Sequence, residues 1–288
     1  MTAIAAPTKR PTPGPARVAR AKRTGLPYTA LGILFLAIML FPVYWMVNAS
    51  LQPNGTTIQA TWFPIHPDFS GYGTAIAQQG QNLGTSLVVA LGSVVVSLAI
   101  AAPAAYALSH FKVRGTNVVL FAILISQMIP GIVVANALYT AYNDLGLLNT
   151  IGGLILADSS HGIPFAILII RAFMGSLPSS IIEAGRVDGA GHMRVFWSIV
   201  LPVSRNALIT AGLFTFLFAW SDFLFALTLT TTDAVRPVTL GLYQYIGSYV
   251  TDWSSVMATA VLASLPAVVL LLVAQKFVAA GTASGAVK

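Results

Sequence analysis

Six stretches of this sequence are apolar for about the length that crosses a bilayer, and only 8% of its 288 residues are charged. A soluble domain carries roughly 25% charged residues. A chain this poor in charge lacks the polar groups to cover its surface, so lipid is its natural solvent. The hydrocarbon core takes about 20 helical residues per crossing. The stretches cover residues 27–49, 84–108, 117–141, 151–173, 204–230 and 254–275. The expected fold is therefore an all-α integral membrane protein with six transmembrane helices. Five of the stretches contain a proline: Pro42, Pro103, Pro130, Pro164 and Pro266. Membrane helices tolerate proline because neighbours re-satisfy the freed carbonyls, and kinked helices are expected.

Basic residues collect in cytoplasmic loops. With the N-terminus inside, fourteen of the fifteen cations fall inside: six in the tail, then Lys112, Arg114, Arg171, Arg186, Arg194, Arg205, Lys276 and Lys288. Outside remains Arg236, with Asp68, Asp144, Asp233 and Asp252. This bias predicts an N-in, C-in topology. The net charge of +7 then speaks of loops and anionic headgroups rather than nucleic acid. Residues 1–26, rich in Pro, Lys and Arg, read as a disordered cytoplasmic tail. The apolar run after them suits a span better than a signal-peptide core, although Val47-Asn48-Ala49 resembles a weak cleavage site. Residues 27–280 form the membrane domain and 281–288 a cytoplasmic C-terminal tail. Cysteine is absent, which excludes a disulfide framework, thiolate metal sites and a cysteine nucleophile. Among the outside loops, residues 231–253 carry Tyr243, Tyr245, Tyr249 and Trp253, an interfacial aromatic belt or a surface for an external partner.

One inside segment, about 174–203, is neither apolar nor loop-like. Ser180 and Glu183 fit a capping box, so a helix should start there and run to about Asp188. Gly189 and Gly191 break it. Met193, Phe196, Trp197 and Val200 then recur as one apolar helical face, and that helix should stop before Pro202. Such a pair of helices can lie on headgroups, gate a solute or pH response, or dock a protein that pushes on the membrane helices. Glu183 and Asp188 argue against anionic headgroups.

The run EAGRVDGAGHMRVFWSIVLP, 183–202, resembles the EAA signature of binding-protein-dependent ABC importers. Glu183, Ala184, Gly189, Ile199, Leu201 and Pro202 match, and Gly185 stands where the family has alanine, which should loosen the first helix somewhat. DLGLLNTIGGLIL at 144–156, FLFAWSDFLFALTLT at 216–230 and QKFVAAGTASGAVK at the C-terminus look like the carbohydrate-uptake branch, of maltose, glycerol phosphate and trehalose type, and within it like a MalG-like subunit. The resemblance covers nearly everything after residue 27 and implies the MetI-like ABC importer permease fold. It further implies a second permease in a heterodimer, two cytoplasmic ATPase subunits, an extracytoplasmic solute-binding protein and a sugar-like solute.

From the resemblance, Glu183, Ala184, Gly185, Asp188, Gly189, Ala190, Phe196, Trp197, Leu201 and Pro202 would couple this chain to an ATPase. Glu183 would meet a basic partner there, with Phe196 and Trp197 packing nearby. No lysine follows a glycine, so the phosphate-binding loop G-x-x-x-x-G-K-[ST] cannot be written. The chain is then a non-catalytic subunit without its own cofactor, and ATP and Mg belong to the partner subunits. Ionisable residues inside the membrane are the candidates for a solute path. These are Asp158 and His161 in the fourth span, where Gly162 and Pro164 point to a broken helix, and Asp222 in the fifth. Trp220 beside Asp222 offers an aromatic face to a sugar. An interhelical polar clamp is the plainer role for each acid. Asp158 and His161 alone do not make a metal site. A permease for a non-sugar solute, an ion-coupled secondary transporter and a membrane-embedded enzyme are the rival readings. No internal repeat supports the second, and no nucleophile or metal cluster supports the third.

Overall fold

The structure is a computed structural model and describes residues 25–53, 61–111, 113–247 and 252–285. The basic tail before residue 25, Lys112, Tyr249 and the last three residues lie outside the described residues. The described chain consists of α-helices: α1 Gly25–Ser50, α2 Ser70–His110, α3 Thr116–Ser126, α4 Gly131–Leu145, α5 Ile151–Met174, α6 Ser179–Val187 and α7 His192–Val195. A π-helical turn, Phe196–Val200, joins α7 to α8, Leu201–Val203. Then come α9 Arg205–Ser221, α10 Leu224–Leu229, α11 Val238–Gly247 and α12 Trp253–Gly285. Four helices are long and apolar enough to cross a membrane, and two sharply bent helix pairs raise the number to as many as six.

Met1–Trp45 and Met46–Lys288 are separate compact units. In the first, the part of α1 before Met46 is apolar around its circumference: Leu31, Phe35, Ile38 and Met39 are all exposed. Such a helix needs lipid or another membrane helix as its surroundings.

The second unit is built on α2. At 41 residues this helix is about 62 Å long, twice the hydrocarbon thickness. It starts fourteen residues before the expected span, within the expected outside loop. Its buried face is made of small residues, among them Ala90, Ser93, Ser97, Ala101 and Ala105, which let α5 and α9 approach closely, as membrane helices require. Ser93 satisfies its hydroxyl on the Val89 carbonyl at 2.9 Å.

One expectation about helix continuity is exceeded and one is reversed. The third span is bent beyond a kink: α3 and α4 meet at 93°. Pro130 starts α4 with ψ of 132° and pushes the residue before it out of the helical region. The fourth span is unbroken, since α5 passes through Gly162 and Pro164. Gly162 is a contact point and not a hinge. A Cβ there would sit 2.6 Å from the Ser97 hydroxyl and 2.7 Å from Thr215 Cγ2, so α2, α5 and α9 converge on it. Likewise, the outside segment 231–253 contains the helix α11, and α12 continues as helix to Gly285, into the segment read as a tail.

The loops sort into two groups, as the charge bias requires. Ser109 at the end of α2 points its hydroxyl at the Arg171 carbonyl near the end of α5, and Phe111 lies edge-on to His192. At the other end Asn149, held at φ 59°, accepts hydrogen bonds from the Thr231 and Thr232 amides at 2.7 and 2.9 Å. Tyr245 donates to Gln78 and Ser254 to the Ser50 carbonyl in the same group. Asp68, which accepts from the Ser70 amide and hydroxyl, is held below the ordinary carboxylate range by those bonds.

Candidate functional site

The segment around Glu183 folds as two short helices meeting at a close-packed corner. α6 ends in a paired cap: the Ala190 amide reaches back to the Gly185 carbonyl and the Gly189 amide to Arg186, both at 3.0 Å. That geometry needs a left-handed residue between them, and Gly189 supplies it at φ 81° without the penalty a side chain would bring. Gly185 is the one buried residue of α6. A Cβ on it would lie 2.5 Å from Ile199 Cδ1, so the missing methyl lets α6 sit tightly on the turn after α7. The corner is close-packed at this position. The expected capping box does not form. α6 starts at Ser179, so Pro178 and not Ser180 takes the N-cap position, and no side-chain cap is made.

The second helix buries one face, but not the expected one: Val195, Phe196 and Val200 are buried, with Phe196 4% exposed, while Met193 and Trp197 are 72% and 61% exposed. At 3.6 residues per turn Met193 and Trp197 share one side and the neighbouring Phe196 points away from it. A wide turn follows, in which the Leu201 amide bonds the Phe196 carbonyl five residues back. The same turn lies just upstream of Pro202, whose ring would otherwise crowd the carbonyl four residues earlier. The helix therefore runs through Pro202 to Val203 rather than stopping before it. Phe196 faces the core, 5.2 Å from the Tyr106 ring of α2 and in one cluster with Ile170 and Met174 of α5. Glu183, Ala184, Asp188, Gly189, Met193, Trp197 and Pro202 face outward, with Ala190 and Leu201 half-buried.

A second constellation lies inside the membrane part. Asp158, His161 and Asp222 line one cavity of about 150 Å³ with Gly131, Phe218, Leu224 and Phe225. Asp158 sits seven residues into α5, about 10 Å along it. Gly131 is the first residue of α4 after the sharp break. Asp222 occupies a second break, between α9 and α10, in extended backbone. Its carboxylate accepts from the Phe225 and Ala226 amides at 3.3 and 3.0 Å, which starts α10. His161 packs edge-on to Phe225. Two interrupted helices thus put their loose ends against an intact one that carries an acid. Gly131, Phe218, Leu224 and Phe225 were not singled out from sequence. Pro130 before Gly131, and the i, i+3 spacing of Asp222 and Phe225, were the available signals.

A profile of the family described as binding-protein-dependent transport system inner membrane component matches residues 93–284, which includes both constellations. The chain belongs to this family. The permease is 32% identical to the probable ABC transporter permease YurM of Bacillus subtilis, over 88% of this chain and 86% of that protein. It is 30% identical to the trehalose transport system permease SugB of Mycobacterium tuberculosis, over 91% and 97% of the two chains. A chain in the crystal structure of a bacterial ABC transporter that imports the acidic polysaccharide alginate superposes with a TM-score of 0.76 and 25% identity, covering 92% of this chain and 99% of that one. The permease is accordingly a non-catalytic, inner-membrane subunit of an ABC importer, and hydrolysis belongs to a separate ATPase. Permeases of this class work with a second permease, ATPases and a binding protein.

One candidate of the solute path falls elsewhere in the permease. Trp220 is buried, donates its indole N–H to the Ala263 carbonyl of α12 at 2.9 Å and stacks on Phe216. It clamps α9 to α12 and offers no face to the cavity, although Asp222 is two residues away. Among the described residues no group of three or more potential metal ligands forms.

Proposed function

We propose that this permease carries a sugar or sugar derivative, as half of a heterodimer with a second permease. One of two ATPase subunits would bind at the α6–α7 corner, the other would serve the second permease, and a solute-binding protein would deliver the solute at the opposite end. ATP and Mg would reside in the ATPases. The observation that carries the coupling part is the division of neighbouring aromatics. Trp197 is exposed where a partner would bear on it, and Phe196 is keyed against Tyr106 of α2. A push on the outer face would pass through Phe196 to two membrane helices without crossing a flexible loop. The sugar part draws support from relatives such as the trehalose permease and from the cavity, whose carboxylate and imidazole accept and donate to hydroxyls beside Phe218 and Phe225.

The test is to co-purify the complete importer and measure ATP hydrolysis across a panel of neutral sugars, amino acids and short peptides in the presence of its binding protein. Stimulation by a sugar is expected. Stimulation only by an amino acid or a peptide would overturn the solute class and leave the importer assignment standing.

A further inference from the structure

The cavity between α4, α5 and α9–α10 holds two acids in different situations. Asp222 is engaged by the two amides of α10, and the imidazole of His161 acts on the same carboxyl. Asp158 is 7% exposed, faces the cavity, and its carboxyl makes no hydrogen bond with any described residue. Its neighbours on α5 are spent: Ser159 and Ser160 donate to the Ile155 and Ala157 carbonyls, both at 2.6 Å. Facing it are Asp222 and Tyr142 of α4. Among the described residues no arginine or lysine lines the space. Two acids so placed do not both ionise, and the groups that would steady a negative charge lie at Asp222. Asp158 therefore presents an uncharged carboxyl, with one O–H to donate and a carbonyl oxygen to accept. A buried polar group normally has a partner, so the partner of this one is a group that enters the cavity. The volume of about 150 Å³ is that of about five waters at ~30 Å³ each and is well below the ~300–1,000 Å³ of a whole small-molecule site. It takes one part of a solute.

We propose that Asp158 is a specificity-determining residue that binds one hydroxyl of an uncharged sugar ring as a neutral donor–acceptor pair, a role that an amide fills equally well. The proposal rests on the reading of the cavity as part of the solute path. A sugar hydroxyl both donates and accepts, so it answers the two oxygens of the carboxyl at once. Phe218 and Phe225 cover the ring's C–H face. A ring lacking that hydroxyl leaves the buried carboxyl desolvated and unpaired, which costs more than the bond itself contributes. The permease thus discriminates in addition to whatever the binding protein selects.

The test is a cycle between this residue and the hydroxyls of a sugar. The complete importer is reconstituted into vesicles with its binding protein, and the probe is the neutral sugar that stimulates its ATP hydrolysis most. Uptake per ATP hydrolysed is measured for that sugar and each of its monodeoxy derivatives, in the parent, Asp158→Asn and Asp158→Leu. The binding protein is the same throughout, so its selection cancels when one derivative is compared across variants. With the full sugar, Asp158→Asn should stay within about threefold of the parent and Asp158→Leu should fall about tenfold or more, the worth of one buried hydrogen bond. One monodeoxy derivative should be carried poorly by the parent and by Asp158→Asn, yet no worse than the full sugar by Asp158→Leu. If Asp158→Leu does not extract, Asp158→Ala takes its place, since it removes both oxygens and adds no bulk. An equal loss for every derivative in the apolar variant, or an Asp158→Asn as damaged as it, would overturn the proposal. Sugar uptake indifferent to Asp158 would overturn the proposal alone and leave the solute class standing. A parent that carries no neutral sugar would overturn the underlying reading, and the proposal with it.

Discussion

The α6–α7 corner and the α4–α5–α9 cavity are built by opposite means. The corner is one contiguous stretch: a nine-residue helix, a left-handed glycine and a second helix closed by a wide turn. The cavity draws on residues between 131 and 225 from four helices. Each depends on a glycine that lets helices touch, and the two glycines are not equivalent. Gly185 faces the end of a flexible isoleucine. Gly162 faces Ser97 and a tied Thr215 on two other helices. The teaching is that a missing methyl is worth what its surroundings cannot give up.

The largest effect should follow from Gly162→Leu. Thr215 cannot swing away, because its branched side chain has few rotamers and its hydroxyl is tied to the Ala211 carbonyl at 2.9 Å. Even one methyl in so closed a place typically costs about 1–3 kcal/mol, and a leucine adds three more carbons. The expected outcome is loss of monodisperse importer after detergent extraction, with Gly162→Ala intermediate. A normal yield of Gly162→Leu would show that α2, α5 and α9 are not held at the spacing described.

Next in size is Glu183→Lys, at the corner. Glu183 is the only glutamate in the chain, is exposed and receives no side-chain cap from α6. Its removal should leave folding intact. Solute-stimulated ATP hydrolysis is expected to fall at least tenfold, while membrane insertion and pairing with the second permease stay normal. Unchanged transport would end the docking role.

These two substitutions separate what the sequence makes readable from what it does not. The corner is legible because its determinants are neighbours: Gly189 and Pro202 have fixed offsets from Glu183, and an offset survives in one dimension. Even so, the opposite facing of Phe196 and Trp197 was hidden, since an i, i+3, i+4, i+7 set covers a broad stripe of the helix and only packing decides which edge of it is buried. The six apolar stretches were legible for a similar reason, as length and composition alone decide whether a helix crosses a bilayer. The break at Pro130 and the continuity at Pro164 were not. Both prolines sit in apolar helical stretches, and only packing distinguishes them, with Gly162 gripped by two helices just before the second. The cavity was half legible. Asp158, His161 and Asp222 stand out as ionisable groups in lipid, whereas Trp220 was wrongly joined to them because two residues along a helix point to different sides.

Trp220→Phe should have a moderate effect. It removes the hydrogen bond to Ala263 while keeping the stack on Phe216. One such bond contributes about 1 kcal/mol, so the thermal midpoint of the purified importer should drop by a few degrees. The rank order of sugars that stimulate ATP hydrolysis should stay unaltered, and a changed order would return Trp220 to the cavity.

The smallest effect should come from Gly185→Ala, which installs the residue that the family carries at this position. Two terms oppose each other. Alanine is favoured over glycine inside a helix by about 1 kcal/mol. Its methyl, however, arrives 2.5 Å from Ile199 Cδ1, with Val195 Cγ2 at a comfortable 3.6 Å. Ile199 is only half-buried, and the atom in the way is the tip of its side chain, so a rotation about its outer bond clears the space. The net change should be within about 1 kcal/mol, by the same propensity scale, and ATP-driven uptake should remain within about twofold of the parent. Gly185→Val, whose branched carbons cannot be cleared by one rotation, should lower uptake without affecting extraction yield, since α6 packs on the corner and not on the membrane core. If Gly185→Ala proved as damaging as Gly162→Ala, the flexibility of the neighbour would not be what sets the cost. The corner would then have to be as rigid as the helix crossing inside the membrane.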